Sequence, residues 1–197
     1  MSGEKLAKGG VVFPIVEIDD NIVTFMVIPP QAEDAAKRRE GAVLRGLPLR
    51  PVVGPGIPGG KVEDHQTLAS AVIAEWDQET DDKVHGPACV DGMGDRLHEV
   101  MGDVEIIQER PEPTRFLVTM FLLNLTASEK FALEERGAQA AMLDIQTGSV
   151  FSKKDGSPLE LRPAHADLLF LFAAVARGLG GSNIVEMEVE REESITS

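Results

Sequence analysis

Gly59-Gly60-Lys61-Val62-Glu63-Asp64-His65-Gln66-Thr67-Leu68-Ala69-Ser70-Ala71-Val72-Ile73-Ala74-Glu75-Trp76-Asp77-Gln78-Glu79-Thr80-Asp81 is the stretch on which the reading of this chain turns. It enters through glycines and becomes helical in pattern over 67–79. Leu68, Ala71, Val72 and Trp76 fall at i, i+3, i+4 and i+8, which makes one apolar stripe, and the Thr67 hydroxyl is suited to cap the helix start. By its place on that stripe Trp76 belongs to the core. Glu75 and Glu79 stand four apart and share a neighbouring face. Read blandly, they are solvent-facing acids of an amphipathic helix. Read chemically, two carboxylates at that spacing can converge on a hard divalent cation such as Mg²⁺, which takes oxygen ligands. The glycines would let the backbone approach a ligand closely and accept unusual dihedrals.

Upstream, Val11 to Ile18 and Ile22 to Ile28 are two β-branched runs around Asp19-Asp20-Asn21, the pattern of an antiparallel hairpin. Pro14 cannot donate to a ladder, which predicts a bulge or an edge position there. Pro29-Pro30 ends the second strand. A polar stretch over 31–42 leads to a segment dense in Pro and Gly, from Pro48 to Gly60, read as a shaped loop. Downstream, 80–102 is polar and Gly-containing and reads as a long loop or insertion. Strands are expected over 104–109 and 115–125, the second so continuously apolar that it belongs in a sheet covered on both faces. A short helix is expected near 128–136 with Ser128 as cap, and a largely buried helix over 164–177 closed by Gly178. The tail from Glu186 to Ser197 is an edge strand or frayed. These elements predict an α/β sandwich with a mixed sheet, organised as a 1–10 extension, a domain over 11–180 and an acidic tail over 181–197.

The chain has 197 residues, 33 acidic against 19 basic, and a net charge of −14. That length suits one domain, at about 150 residues each, large enough to bury roughly 70% of the unfolded surface. Eight Phe, one Trp and no Tyr leave the core to aliphatic side chains. The acidic balance speaks against nucleic acid, whose affinity comes from Lys and Arg replacing phosphate counterions. Lys37-Arg38-Arg39 is the one basic cluster, flanked by Glu33, Asp34 and Glu40 and read as a solvated loop or helix edge, with contact to a ligand phosphate as the minor alternative. No apolar run approaches the roughly 20 residues that cross a bilayer, and the N-terminus lacks the apolar stretch of a secretory signal. A lone Cys89 forms no internal disulfide, so the expected compartment is cytoplasmic. Early strands with apolar edges would suit a homodimer.

The stretch over 58–81 resembles the Nudix box, the loop–helix signature of the Nudix hydrolases, without a gap. Pro58, Gly59 and Gly60 match its entry, Glu75 and Glu79 keep two of its glutamates, and Trp76 keeps an apolar position. Gln66 stands where the first glutamate belongs, Ala74 where the arginine does, Gln78 where a further glutamate does, and Asp81 and Asp82 replace the closing glycine and apolar residue. The resemblance implies a Nudix-like α/β/α sandwich. It also implies a hydrolase that cleaves a diphosphate linkage in a nucleoside diphosphate derivative with Mg²⁺ or Mn²⁺. Glu75, Gln78 and Glu79 would hold the metal, Gly59 and Gly60 would shape the phosphate loop, and the partner would be a small nucleotide-type substrate. A further acid acts as base or ligand in this family; Glu109, Glu112, Glu134, Glu135 and Asp144 are available, with Glu134 and Glu135 the best placed. If the lost glutamate and arginine are mutual partners, the changes at Gln66 and Ala74 cancel, since removing both members of an ion pair leaves no unpaired buried charge. The lost charges also support a second reading, a catalytically silent module that binds a nucleotide or a protein. Glu63, Asp64 and His65 read as loop residues, and His85 and His98 have no metal-ligand spacing.

Overall fold

A computed structural model describes residues 6–30, 32–46, 54–80, 96–108 and 114–178. The expected hairpin forms from β1 (Ala7–Asp19) and β2 (Ile22–Val27), which pair antiparallel. Its loop is tighter than the three turn residues suggested. Asp19 faces Ile22, so Asp20 and Asn21 alone make the turn, with Asp20 in the left-handed region that a short polar side chain tolerates. β1 starts at Ala7, so residues 7–10 of the expected extension are sheet. Pro14 sits in a central strand rather than at an edge. The register slips between Ile15 and Glu17, the bulge that its missing donor predicts.

The polar stretch after β2 is helix α1 (Ala32–Arg45), whose overall polarity made it read as a connection rather than as a packed helix. The segment 54–58 is extended. Gly56 bridges Ile28, and the Val12 N–H donates to the Pro58 carbonyl at 2.8 Å. It continues as β3 (Gly59–Lys61), antiparallel to the first half of β1. Helix α2 (Leu68–Thr80) follows, capped as expected, with the Ser70 N–H donating to Thr67 Oγ1 at 3.1 Å.

β4 (Leu97–Gln108) begins inside what the sequence presents as loop. Two register slips, around Met101 and before Val104, break the alternation that would have revealed it. β5 (Thr114–Asn124) is central, between β4 and β1, and runs parallel to β1. Helix α3 (Ala127–Glu135) starts one residue before the expected cap: Thr126, not Ser128, caps it, because Glu129 at the third helical position completes a reciprocal capping box. The short strands β6 (Gln139–Asp144) and β7 (Val150–Ser152), which the sequence did not announce, extend the sheet beyond β2. Helix α4 (Pro163–Gly178) completes the fold.

The sheet order is β4-β5-β1-β2-β6-β7 with β3 beside β1, mixed as expected. Alternate residues of β1 serve two cores. Val11, Phe13 and Ile15 pack with Leu168, Leu169, Phe172, Ala173 and Ala176 of α4, whereas Val12 packs with Val72 and Trp76 of α2 and Leu133 of α3. Two separate clusters on opposite sheet faces are what make this an α/β/α sandwich. α4 is less enclosed than its apolar sequence suggests: Phe170, Leu171 and Val175 face outward. Its C-terminal end is tied down by Arg177, which donates to the carbonyls of Ile145 and Gln146 at 2.7 Å each. Among the described residues no helix is long and apolar enough to cross a membrane.

Candidate functional site

The glycine entry is not a bend. Gly59 and Gly60 are extended and paired with Val11 and Gly10, and neither has positive φ. What selects glycine here is close approach. A Cβ on Gly59 would lie 2.6 Å from the Gly10 carbonyl oxygen, and one on Gly10 would overlap Val72 of α2. A Cβ on Gly60 would overlap the Glu75 carboxyl group. The acid of α2 therefore lies directly over the Gly60 backbone, and the helix and β3 can be this close only because position 60 has no side chain.

Of the residues singled out from sequence, the structure brings Gly60 and Glu75 together. Glu75 is half-buried, whereas Ala74 and Gln78 are exposed. The backbone of Glu79 lies in the last turn of α2; its side chain, and Asp81 and Asp82, fall outside the described residues. Gln66 is turned toward its own loop, its Oε1 accepting from the Glu63 N–H at 3.2 Å. Asp64 and His65 are exposed in that loop, and Glu63 is exposed and 3.6 Å from Lys61 Nζ. Trp76 is fully buried, as its stripe position predicts.

The further acids are scattered. Glu134 and Glu135 are exposed on α3, where Glu134 meets Lys130 at 3.6 Å. Asp144 is engaged by the β6–β7 turn, accepting from the Gln146 N–H at 2.8 Å and the Thr147 hydroxyl at 2.9 Å. Glu109, Glu112, His85 and Cys89 lie outside the described residues, and His98 is half-buried on β4 opposite Leu122. Among the described residues no three His, Cys, Asp or Glu side chains gather as a metal cluster.

Next to the Gln66 loop is a cavity of about 250 Å³ lined by Lys8, Gln66, Leu68, Asp103, Leu117 and Thr119, among others. Lys8 and Thr119 belong to the sheet and Leu68 to the first turn of α2. Asp103 stands in the left-handed region at the slip in β4.

Two buried titratable groups escaped the sequence reading. Glu129 is buried under a fork of two hydrogen bonds from Arg96, at 2.8 and 2.7 Å, and also accepts from the Thr126 N–H at 2.8 Å. Burial would raise its pKa, but the hydrogen bonds from Arg96 and Thr126 and the Arg96 charge together hold it below the usual carboxylate value. The Thr126-x-x-Glu129 spacing was a legible sign of half of this arrangement. The second group is His165, buried in the first turn of α4, whose Nδ1 accepts from the Ile57 N–H at 2.9 Å. That bond places the proton of the neutral ring on Nε2. Desolvation, and then the charges of Arg162 and Arg38, hold its pKa well below the ordinary histidine value. Nothing in the sequence pairs residues so far apart.

No family model matches the chain, and no curated protein matches it. Solved structures with a similar arrangement include a mutT/nudix family protein from Listeria innocua, 14% identical, covering 88% of this chain and 96% of that one with a TM-score of 0.45. A MutT/nudix family protein from Enterococcus faecalis is 12% identical over 94% of this chain and 69% of that one, also with a TM-score of 0.45. The Ap4A hydrolase of C. elegans is 11% identical over 61% of this chain and 70% of that one, with a TM-score of 0.36. Likenesses this distant do not bear on activity.

Proposed function

We propose that the protein is a metal-dependent hydrolase that cleaves a diphosphate linkage in a nucleoside diphosphate derivative. The observation that carries this reading is the seating of the Glu75 carboxyl over Gly60. Two positions of the sequence motif meet across β3 and α2. An acid there fits a hard cation, since it supplies an oxygen donor from a rigid helix. Glu75, with Gln78 and Glu79 on the adjoining turn, would hold Mg²⁺ or Mn²⁺; all three offer oxygen. When bound, the cation would offset charge on the diphosphate and lower the pKa of a bound water. The part of the chain is positional. The Gly59–Lys61 strand fixes the distance between backbone and helix, and the Thr67 cap fixes where the helix begins. Gly59 and Gly60 present a backbone without side chains along which a phosphate group can lie.

The assay is incubation of the purified protein with ADP-ribose, dinucleoside polyphosphates, NADH and nucleoside triphosphates, with Mg²⁺ or Mn²⁺. Release of nucleotide or phosphate that is lost in Glu75→Gln and Glu79→Gln supports the proposal. No release from any of them, together with no calorimetric metal binding, overturns it. A second reading, a silent nucleotide- or protein-binding module, is favoured by one observation. Gln66, at the position of a lost glutamate, spends its side-chain oxygen on the Glu63 N–H.

A further inference from the structure

The cavity beside the Gln66 loop is built from three strands and a helix. At its centre is β5, where Leu117 and Thr119 stand two apart and so share one face. On one side Lys8 of β1 pairs with Leu117. On the other is Asp103 of β4, inside the second of two register slips and in the left-handed region. Bulges of this kind re-aim a side chain and are common beside functional sites. Leu68 of α2 and Val62 complete the apolar part of the lining. Thr119 is 6% exposed, and its hydroxyl meets no hydrogen-bond partner among the described residues. Native proteins seldom leave a buried polar group unmatched without a reason such as a ligand. Lys8 and Asp103 are exposed and of opposite charge, yet neither forms an ion pair among the described residues. One cavity thus joins an ammonium, a carboxylate and a buried hydroxyl, all unengaged.

We propose that this cavity binds a free α-amino acid with an aliphatic side chain, its carboxylate at Lys8 and its ammonium at Asp103. β5 lies between β1 and β4, so the Cα atoms of Lys8 and Asp103 stand roughly 10 Å apart, about two strand spacings. An α-amino acid spans about 3 Å from its nitrogen to a carboxylate oxygen. Two charge-assisted hydrogen bonds of about 2.8 Å extend that to about 9 Å, which bridges the walls. A ligand with a single charge would leave one wall without its counter-charge. The Thr119 hydroxyl can accept from the ammonium or donate to the carboxylate. Val62, Leu68 and Leu117 offer contact to an aliphatic side chain. The volume of about 250 Å³ equals about eight waters at about 30 Å³ each, room for a molecule the size of leucine. No aromatic side chain lines the cavity to stack a nucleotide base.

The probe is L-leucine, titrated calorimetrically into the full chain at pH 7.5 with EDTA. Saturable binding is expected, with a Kd below about 1 mM. 4-Methylpentanoate, which lacks the ammonium, and 3-methylbutylamine, which lacks the carboxylate, should each bind at least roughly 10-fold more weakly, the effect of one charge-assisted hydrogen bond. Lys8→Gln and Asp103→Asn should each weaken L-leucine binding by a similar factor. Thr119→Val, which keeps the shape and removes the hydroxyl, should weaken it about 3-fold or more. Asparagine at 103 accepts the left-handed backbone as aspartate does, and circular dichroism of each variant checks that the fold is kept. Glu75→Gln should bind L-leucine as the wild type does, which separates this site from the proposed hydrolytic one. Absence of saturable binding, equal binding of either singly charged analogue, wild-type binding in any of the three cavity variants, or loss of binding in Glu75→Gln would each overturn the proposal.

Discussion

Gly56 and Gly60 do the same thing with opposite signs. Both stand on the extended segment that leads into α2, and both lack positive φ. Each is overlain by a charged head group that a single methyl would displace, Arg162 at Gly56 and Glu75 at Gly60. They differ in what surrounds the charge. Arg162 is enclosed on the α4 side beside the fully buried Ile57, whereas Glu75 is half-buried on the α2 side with a route to solvent. At these two positions glycine marks where a charged group touches the backbone. The buried charge is enclosed, and the half-buried one reaches the surface.

The Arg96–Glu129 fork provides a third charged contact, without glycine, against which to measure both. Arg96→Ala would leave Glu129 buried without its guanidinium fork, and about 3 kcal/mol of stability should be lost in urea unfolding, the scale for breaking a buried pair. An effect below about 1 kcal/mol would mean that Glu129 reaches water. For Glu75→Gln the expectation is a loss of at least roughly 100-fold in kcat/KM on the substrate found by the panel above, beyond the cost of an outer-sphere partner, with little change in Tm. If stability falls and activity does not, Glu75 is structural, and the two glycines are alike after all.

The glycines themselves sharpen the contrast. Gly56→Ala should cost about 1–3 kcal/mol, the range for overpacking, because the Arg162 head group has nowhere to go. Gly60→Ala should cost about 1 kcal/mol or less, because Glu75 can swing outward, yet it should weaken metal binding in calorimetry. Equal destabilisation by the two would erase the distinction drawn here.

The smallest effect is on pH. His165 has a folded pKa well below its ordinary value of 6.5, so the unfolded chain binds a proton that the folded chain refuses. Its contribution is complete above pH 6.5 and is lost as pH falls below it, by at most about 1.4 kcal/mol per pH unit. His165→Asn, whose side-chain oxygen can still accept from Ile57, should flatten the dependence of Tm on pH between about 6.5 and 5. A slope equal to that of the wild type would show that other groups set it.

Short-range pattern made much of the fold legible. The hairpin, the central apolar strand, α2 with its Thr67 cap and the late helix all follow from periodicity and caps, which act over a few residues. Where local signals conflicted, the reading slipped. β4 was hidden by two register slips, α1 by its overall polarity, and Thr126 by the nearer serine. Of the site, the spacing of Glu75 from the glycines could be read, but not what the glycines were for.

The sequence by itself determined the hairpin, the central strand, α2 and the late helix, and the spacing of an acid from the glycines, because hydrogen bonding and hydrophobic period are properties of neighbours along the chain. Only the tertiary structure decided that the glycines are strand rather than bend, that Gly56 seats an arginine, and that His165 and Glu129 find distant partners. Those facts depend on which backbones come within a methyl's width of which side chains, and that distance exists only once the sheet and its helices have packed.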